Sequence, residues 1–204
     1  MLPQVFASQF YHDSESDELV VKGELEHIWY KPRFLFPIFW LLEKCGILIA
    51  ERRNNVCTTL KVTAVNSEDF GMCQVWRRRF MADRTKKFDV RVVYDEKTKR
   101  AVDLVGPFEV LALGWDLSSQ GDTFCIDVST AGIRVGTRFL WMPSFLWPYL
   151  LGRETFRQTV VDEAESRFSI QLHIEHPIFG PIFGYSGNFV VEQSAALKSD
   201  PRAC

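Results

Sequence analysis

The sequence predicts a mainly β protein (β-rich α+β): an antiparallel curved sheet or barrel of about nine or ten strands, with one or two short helices covering a mouth or an edge. Three observations lead there. Apolar residues recur with period two from Leu19 onward, the spacing that puts one face of a strand against a core. Clusters of turn-forming residues separate these runs at intervals of roughly 8–12 residues. Helical signal is confined to two short stretches. The chain of 204 residues is 47% hydrophobic and 25% charged, which excludes a disordered, collagen-like or coiled-coil chain. One β-rich domain over residues 1–193 and a polar tail over 194–204 are expected.

In chain order, Leu2 to Tyr11 suits a short N-terminal helix. Leu19, Val21, Gly23, Leu25, His27 and Trp29 then share one face of a first strand, with Lys22, Glu24 and Glu26 on the other. Arg33 to Cys45 suits a second helix, with Pro37 in its first turn and Gly46 as its stop. Lying between the first and second strands, it is placed to plug one mouth of a barrel. Val56 to Val65 and Met72 to Met81 form a hairpin across Asn66-Ser67-Glu68-Asp69. Phe88, Val90, Val92 and Tyr94 alternate with Asp89 and Arg91, and a second hairpin turn falls in Asp95-Glu96-Lys97-Thr98. Further strands are read over Phe108–Leu117, Thr123–Ser129, Thr155–Asp162, Phe168–Glu175 and Ile182–Val191.

The five cysteines, Cys45, Cys57, Cys73, Cys125 and Cys204, are odd in number and show no C-x-x-C spacing, so buried free thiols fit better than a disulfide framework or a zinc site. The apolar runs Phe34 to Ala50 and Phe139 to Leu151 are broken by Glu43, Lys44, Pro37, Pro143 and Pro148, and neither offers the ~20 apolar residues of a spanning helix. With no leader pattern at Met1 to Gln9, a cytoplasmic protein without a transmembrane segment is expected. Twenty-four basic against 26 acidic residues give a net charge of −2, so no global attraction to nucleic acid exists. Strand alternation also sends the middle residue of Arg77-Arg78-Arg79 to the opposite face from its neighbours, and no nucleic-acid partner is expected.

Polar residues on apolar faces mark candidate sites. The third strand presents Met72, Gln74, Trp76, Arg78 and Phe80 on one side. A guanidinium cannot shed its proton, so a buried Arg78 needs a carboxylate or an anionic ligand. Asp103, just before the Gly106-Pro107 turn, and Glu109, sharing a face with Leu111, Leu113 and Trp115, are the candidate partners. Two readings stand: a structural pair that pins strand register, or an arginine that anchors a ligand's polar head in an apolar pocket. His27 reads either as a hydrogen-bonded core residue or as a proton shuttle. His173 and His176 alternate to opposite faces, so neither a metal site nor a cofactor is expected. G-x-S-x-G, P-loop and G-x-G-x-x-G signatures are absent. The 17 Phe, 6 Trp and 5 Tyr exceed the needs of one core and favour an internal pocket.

Several short motifs occur in a definite order: Leu2-Pro3 with His12, Gly23 on the first strand, Trp76-x-Arg78-x-Phe80, Asp103-Leu104-Val105-Gly106-Pro107, and Pro177-x-x-Gly180 followed by Tyr185-x-Gly187. In this order and spacing they resemble the domain-of-unknown-function family number 4166 across nearly the whole chain. The resemblance implies a single domain, of a kind found alone or appended to short-chain-reductase-like or membrane segments. It marks Trp76, Arg78, Phe80, Asp103, Gly180, Tyr185 and Gly187. Asp103 stands where the family usually carries glutamate, one methylene shorter, and Asp162, Glu163 and Glu165 compete for the acid before the penultimate strand. The resemblance supplies no chemistry.

Three functional readings follow. The leading one is a barrel pocket for an apolar or amphiphilic small molecule, lipid- or terpenoid-like, lined by Trp76, Arg78, Phe80, Trp115 and Tyr185. The second is a cofactor-free isomerase or cyclase in which confinement is joined by acid–base catalysis from His27, Asp103 or Glu109. The third makes the two apolar segments a membrane- or partner-docking surface. The sequence leaves the oligomeric state open.

Overall fold

The computed structural model describes residues 18–31, 33–49, 52–81 and 85–192. Its strands are β1 (Glu18–Tyr30), β2 (Arg53–Ser67), β3 (Gly71–Met81), β4 (Thr85–Asp95), β5 (Arg100–Val105), β6 (Leu111–Gln120), β7 (Thr123–Val135), β8 (Arg138–Trp141), β9 (Arg153–Asp162), β10 (Arg167–His176) and β11 (Gly180–Glu192). Neighbours run β6-β5-β4-β3-β2-β1-β11-β10-β9-β7, and β7 also pairs with β6. This closes an antiparallel barrel of ten strands, with β8 added on β7. Closure leaves no unpaired edge around the ring. The predicted N-terminal helix and the polar tail lie outside the described residues.

Alternation decides what points inward. On β3, Trp76, Arg78 and Phe80 face the interior, as period two requires. On β1 the pattern breaks. A bulge between Leu25 and His27 shifts the register against β11, so Ile28 takes the buried position at 1% exposure and His27 turns out to solvent. The inward placement of His27 and Trp29 is thereby corrected. One extra residue inverts every side chain beyond it.

The expected helix is present as a 3-10 turn (Arg33–Leu35) running into α1 (Phe36–Lys44), with Pro37 in the first turn and Gly46 left-handed just past the end. A second short helix, α2 (Trp147–Leu151), lies between β8 and β9. The predicted strand over Phe108–Leu117 begins late, because Pro107–Glu109 forms a 3-10 turn with Phe108 and Glu109 both left-handed. β5, implied by the sequence only through its turn, is short, and an inward Asp103 interrupts its apolar face. β8 was hidden inside an apolar run. Its residues Phe139 and Trp141 cover a small second core on the outer wall, made by Cys73, Val93, Val102, Leu104 and Ala112.

The connections sort by end. Short polar turns join β2–β3, β4–β5, β6–β7 and β9–β10 at the base, whereas α1, α2 and the β10–β11 turn gather at the opposite mouth. At the seam between the first and last strands the two backbones come together. A Cβ on Gly187 would stand 2.2 Å from the Glu24 carbonyl oxygen and 2.8 Å from the Leu25 Cα, and one on Gly23 would stand 2.2 Å from the Asn188 carbonyl oxygen. Only glycine fits such an approach. Gly187→Ala is expected to destabilise the protein by about 3 kcal/mol, in the upper range for overpacking, measured by urea denaturation. A variant as stable as the parent would show that the seam relaxes freely.

Candidate functional site

Ten strands enclose more space than their inward side chains fill. A cavity of about 290 Å³ occupies the mouth half of the barrel, close to the lower bound of small-molecule sites, about 300 Å³. Its wall is mostly apolar: Leu25, Ile28, Phe88, Val105, Leu111, Leu113, Ile126, Val128, Phe156 and Leu172 among others. Its roof is built by α1 through Ile38, Phe39 and Leu42, and by α2 through Trp147, Leu150 and Leu151. The two aromatic-rich segments read from the sequence thus meet over one opening. A smaller cavity of about 40 Å³ lies deeper, lined by Thr58 and Gln158. Trp76, Arg78, Phe80, Phe156 and Tyr185 line both cavities.

Into this apolar chamber the wall projects four polar side chains: Arg78 from β3, Asp103 from β5, Glu154 from β9 and Tyr185 from β11. Each keeps part of its surface accessible, and that surface opens onto the cavity. The Arg78 guanidinium carbon lies 5.3 Å from the Trp76 ring centre and 5.1 Å from that of Phe88. Phe88 is its direct cross-strand partner, so register alone assures the contact. Two aromatic faces offset part of the cost of holding the cation away from water. Among the described residues, no carboxylate oxygen lies within 4.0 Å of the Arg78 guanidinium nitrogens.

Arg78 therefore points inward as its strand pattern requires, and Asp103 shares its chamber without forming a direct pair. Burial raises the Asp103 carboxyl well above the ordinary carboxylate range. Arg78 pulls it back down, Glu154 pushes it further up, and the Trp115 indole N–H favours the anion. Glu154 is raised by burial and lowered by Arg78 in the same way. The Tyr185 phenol is pushed up to about 12, mainly by burial. Trp115 lines the cavity and meets Trp76 edge-on at 6.2 Å.

Two sequence candidates lie elsewhere. His27 is on the outer surface, its Nδ1 2.6 Å from Asn54 Oδ1. Glu109 is outside as well, because the left-handed turn swings it away from Leu111 and Leu113. It pairs with Arg91 at 2.8 Å and with Arg134 at 2.6 Å, and Arg134 also holds Asp69 at 2.7 Å. Asp162, Glu163 and Glu165 occupy the end of β9 and its turn to β10 at the base. The acid that does enter the chamber, Glu154, escaped the sequence reading because its inward face runs Glu154, Phe156, Gln158, Val160 and mixes polar with apolar residues. Period two on β9 was the available signal. His176, which strand alternation sends to the face opposite His173, is buried at the mouth. Its Nε2 lies 3.0 Å from the Tyr149 carbonyl oxygen, and its Nδ1 faces the backbone N–H groups of Ile178 at 3.1 Å and Phe179 at 3.4 Å. It ties α2 to the β10–β11 turn.

The raised carboxyls have a pH signature. In the folded chain Asp103 and Glu154 keep protons at pH values where the unfolded chain has lost them. Their contribution to stability is full below the ordinary carboxylate range and is lost as pH climbs through the raised values. Asp103→Asn removes one of these groups. Urea denaturation should find the variant more stable relative to the parent at mildly alkaline pH than at acid pH. Parallel pH profiles for the two proteins would contradict the upward shift of the Asp103 carboxyl.

The uncharacterized protein YndH of Bacillus subtilis (strain 168) is 29% identical over 121 residues, covering 58% of this chain and 56% of that protein. The alignment thus spans little more than half of that relative's length. The family described as Domain of unknown function (DUF4166) matches residues 2–189, a span that holds all four polar side chains of the chamber and both roof helices. The motifs around Trp76, Arg78, Asp103 and Tyr185 therefore sit in an established family context, and the chain belongs to the DUF4166 family.

Proposed function

We propose that the barrel binds an apolar or amphiphilic small molecule, lipid- or terpenoid-like, in its mouth-side cavity. The observation that carries this reading is the placement of Arg78. A permanent cation lines an apolar chamber of about 290 Å³, held by aromatic faces and by no direct carboxylate pair among the described residues. Its donors suit a carbonyl, hydroxyl or acidic head, while the aliphatic and aromatic walls suit the tail. Asp103, Glu154 and Tyr185 provide further polar positions around that head.

A second reading rests on a different feature of the same chamber. Carboxyls whose burial favours the protonated form are suited to protonating an apolar substrate, and confinement supplies the geometry. A cofactor-independent isomerase or cyclase would use Asp103 or Glu154 as general acid, worth about 10²–10⁴-fold. His27 and Glu109, outside the cavity, take no part. If Asp103→Asn and Glu154→Gln both leave turnover of a found substrate intact, this reading fails.

Native mass spectrometry of freshly purified protein, followed by solvent extraction, tests the binding reading directly. A co-purifying amphiphile is expected. Arg78→Met should cost the empty protein only about 1 kcal/mol, the scale of the lost cation–π contacts. It should weaken the ligand roughly tenfold to a hundredfold, the worth of a hydrogen bond to a charged group. A protein that carries nothing and binds no member of a panel of fatty acids, fatty alcohols and isoprenoid alcohols would overturn the proposal.

A further inference from the structure

The mouth bears apolar surface that neither the core nor the cavity accounts for. Phe34, Trp40, Leu41, Phe145 and Ile178 are all exposed, Phe145 to 72% and Ile178 to 69%. They come from three separate connections, yet a run of ring contacts ties those connections together. Tyr149 lies 6.5 Å from His176, His176 4.7 Å from Phe179, and Phe179 5.4 Å from Phe34. The same segments send other residues inward to roof the cavity. The exposed side chains therefore form a collar around its opening.

Charge around the collar is one-sided. Between β1 and β2 the sequence holds Lys31, Arg33, Lys44 and Arg52 against Glu43 and Glu51, and Glu43 is paired with Lys86 at 2.8 Å. Residues 142–152 and the β10–β11 turn carry no charge at all. The four base turns hold Glu68, Asp69, Glu96, Asp122, Glu163 and Glu165 against Lys97 and Lys99. The connections that carry the collar are thus basic and apolar, whereas these four turns are acidic. The Lys44 ammonium lies 5.7 Å from the Trp40 ring centre, an apolar body with a cationic tip of the kind that suits a headgroup boundary.

We infer that the collar seats on the surface of an anionic lipid bilayer, with the mouth of the cavity turned toward the membrane. Exposed apolar patches of this kind mark interaction sites, and the charge pattern selects the occupant. Two copies meeting collar to collar would bring Lys31, Arg33, Lys44 and Arg52 against the same cations, whereas an anionic surface complements them and repels the acidic base. Seating is separate from the ligand reading, because flotation reports membrane contact and extraction reports cavity occupancy.

The test is flotation of the full chain with phosphatidylcholine vesicles that contain or lack phosphatidylglycerol. The protein should float with the anionic vesicles, less so with phosphatidylcholine alone, and less as salt is raised. Phe145→Ser and Ile178→Ser, both solvent-facing, should each reduce partitioning roughly tenfold at unchanged melting temperature. Lys31→Glu with Arg33→Glu should abolish the preference for anionic lipid. Val161→Ser, at the base end and exposed to 63%, should change nothing. Brominated lipids should quench tryptophan emission, and Trp40→Phe should lessen that quenching. Absence of flotation with either vesicle, or flotation indifferent to the collar substitutions, overturns the inference. So does a dimer in light scattering that Phe145→Ser dissociates while vesicles are ignored, which would make a second copy the occupant.

Discussion

The pairing of β6 with β7 closes the wall, and the interior follows from the width of the ring it closes. An eight-stranded ring is just wide enough for its own side chains to fill, and diameter grows with strand number. Ten strands leave a surplus that the inward Phe, Trp and Leu residues of this chain reduce without removing. The cavity is therefore a consequence of strand count, and the aromatic excess is divided between lining it and roofing it. The tight glycine approach at the β1–β11 seam belongs to the same closure, since the first and last strands must meet with no side chain between their backbones.

Inside that ring, among the described residues, electrostatics is set by a single permanent cation. Arg78 cannot be neutralised by losing its proton, so the surroundings adapt to it. Two aromatic faces lie against it, and two carboxyls share its chamber at a distance. Burial raises both carboxyls, Glu154 pushes Asp103 further up, and the guanidinium restrains the rise of each. A direct buried salt bridge would have locked these groups together. The spaced arrangement leaves polar atoms disposed around an open volume, which is the form a binding chamber takes rather than that of a structural staple.

The two ends of the barrel divide the remaining work. The base is made of tight turns rich in acidic and polar residues, and one of them, Asp69, is held by Arg134. At the mouth the β1–β2 and β8–β9 connections are longer, and their residues are split between inward and outward duties. On α1, Phe39 turns into the cavity while Trp40 and Leu41 turn to solvent. On the β8–β9 connection, Trp147 is buried and Phe145 exposed. His176 fastens these pieces at the rim, so the roof is a held structure with defined inner and outer faces.

Period-two alternation, turn chemistry and composition were legible in the sequence and were enough for the β class, most of the strands, helix α1 with its Gly46 stop, and the inward direction of Arg78. Those features are local: they depend on neighbours within one strand or turn, where the chain's own geometry dictates the outcome. Three things were decided only by tertiary structure. The bulge at Glu26–His27 exists because β11 pairs on that edge, and it turned His27 outward. The left-handed turn at Phe108–Glu109 delivered Glu109 to Arg91 and Arg134, residues on two other strands. Glu154 joined Arg78 because closure of the ring brings β9 across from β3. Each is a property of pairing between segments far apart in the chain, and the alternation within any one segment carries no record of its partner.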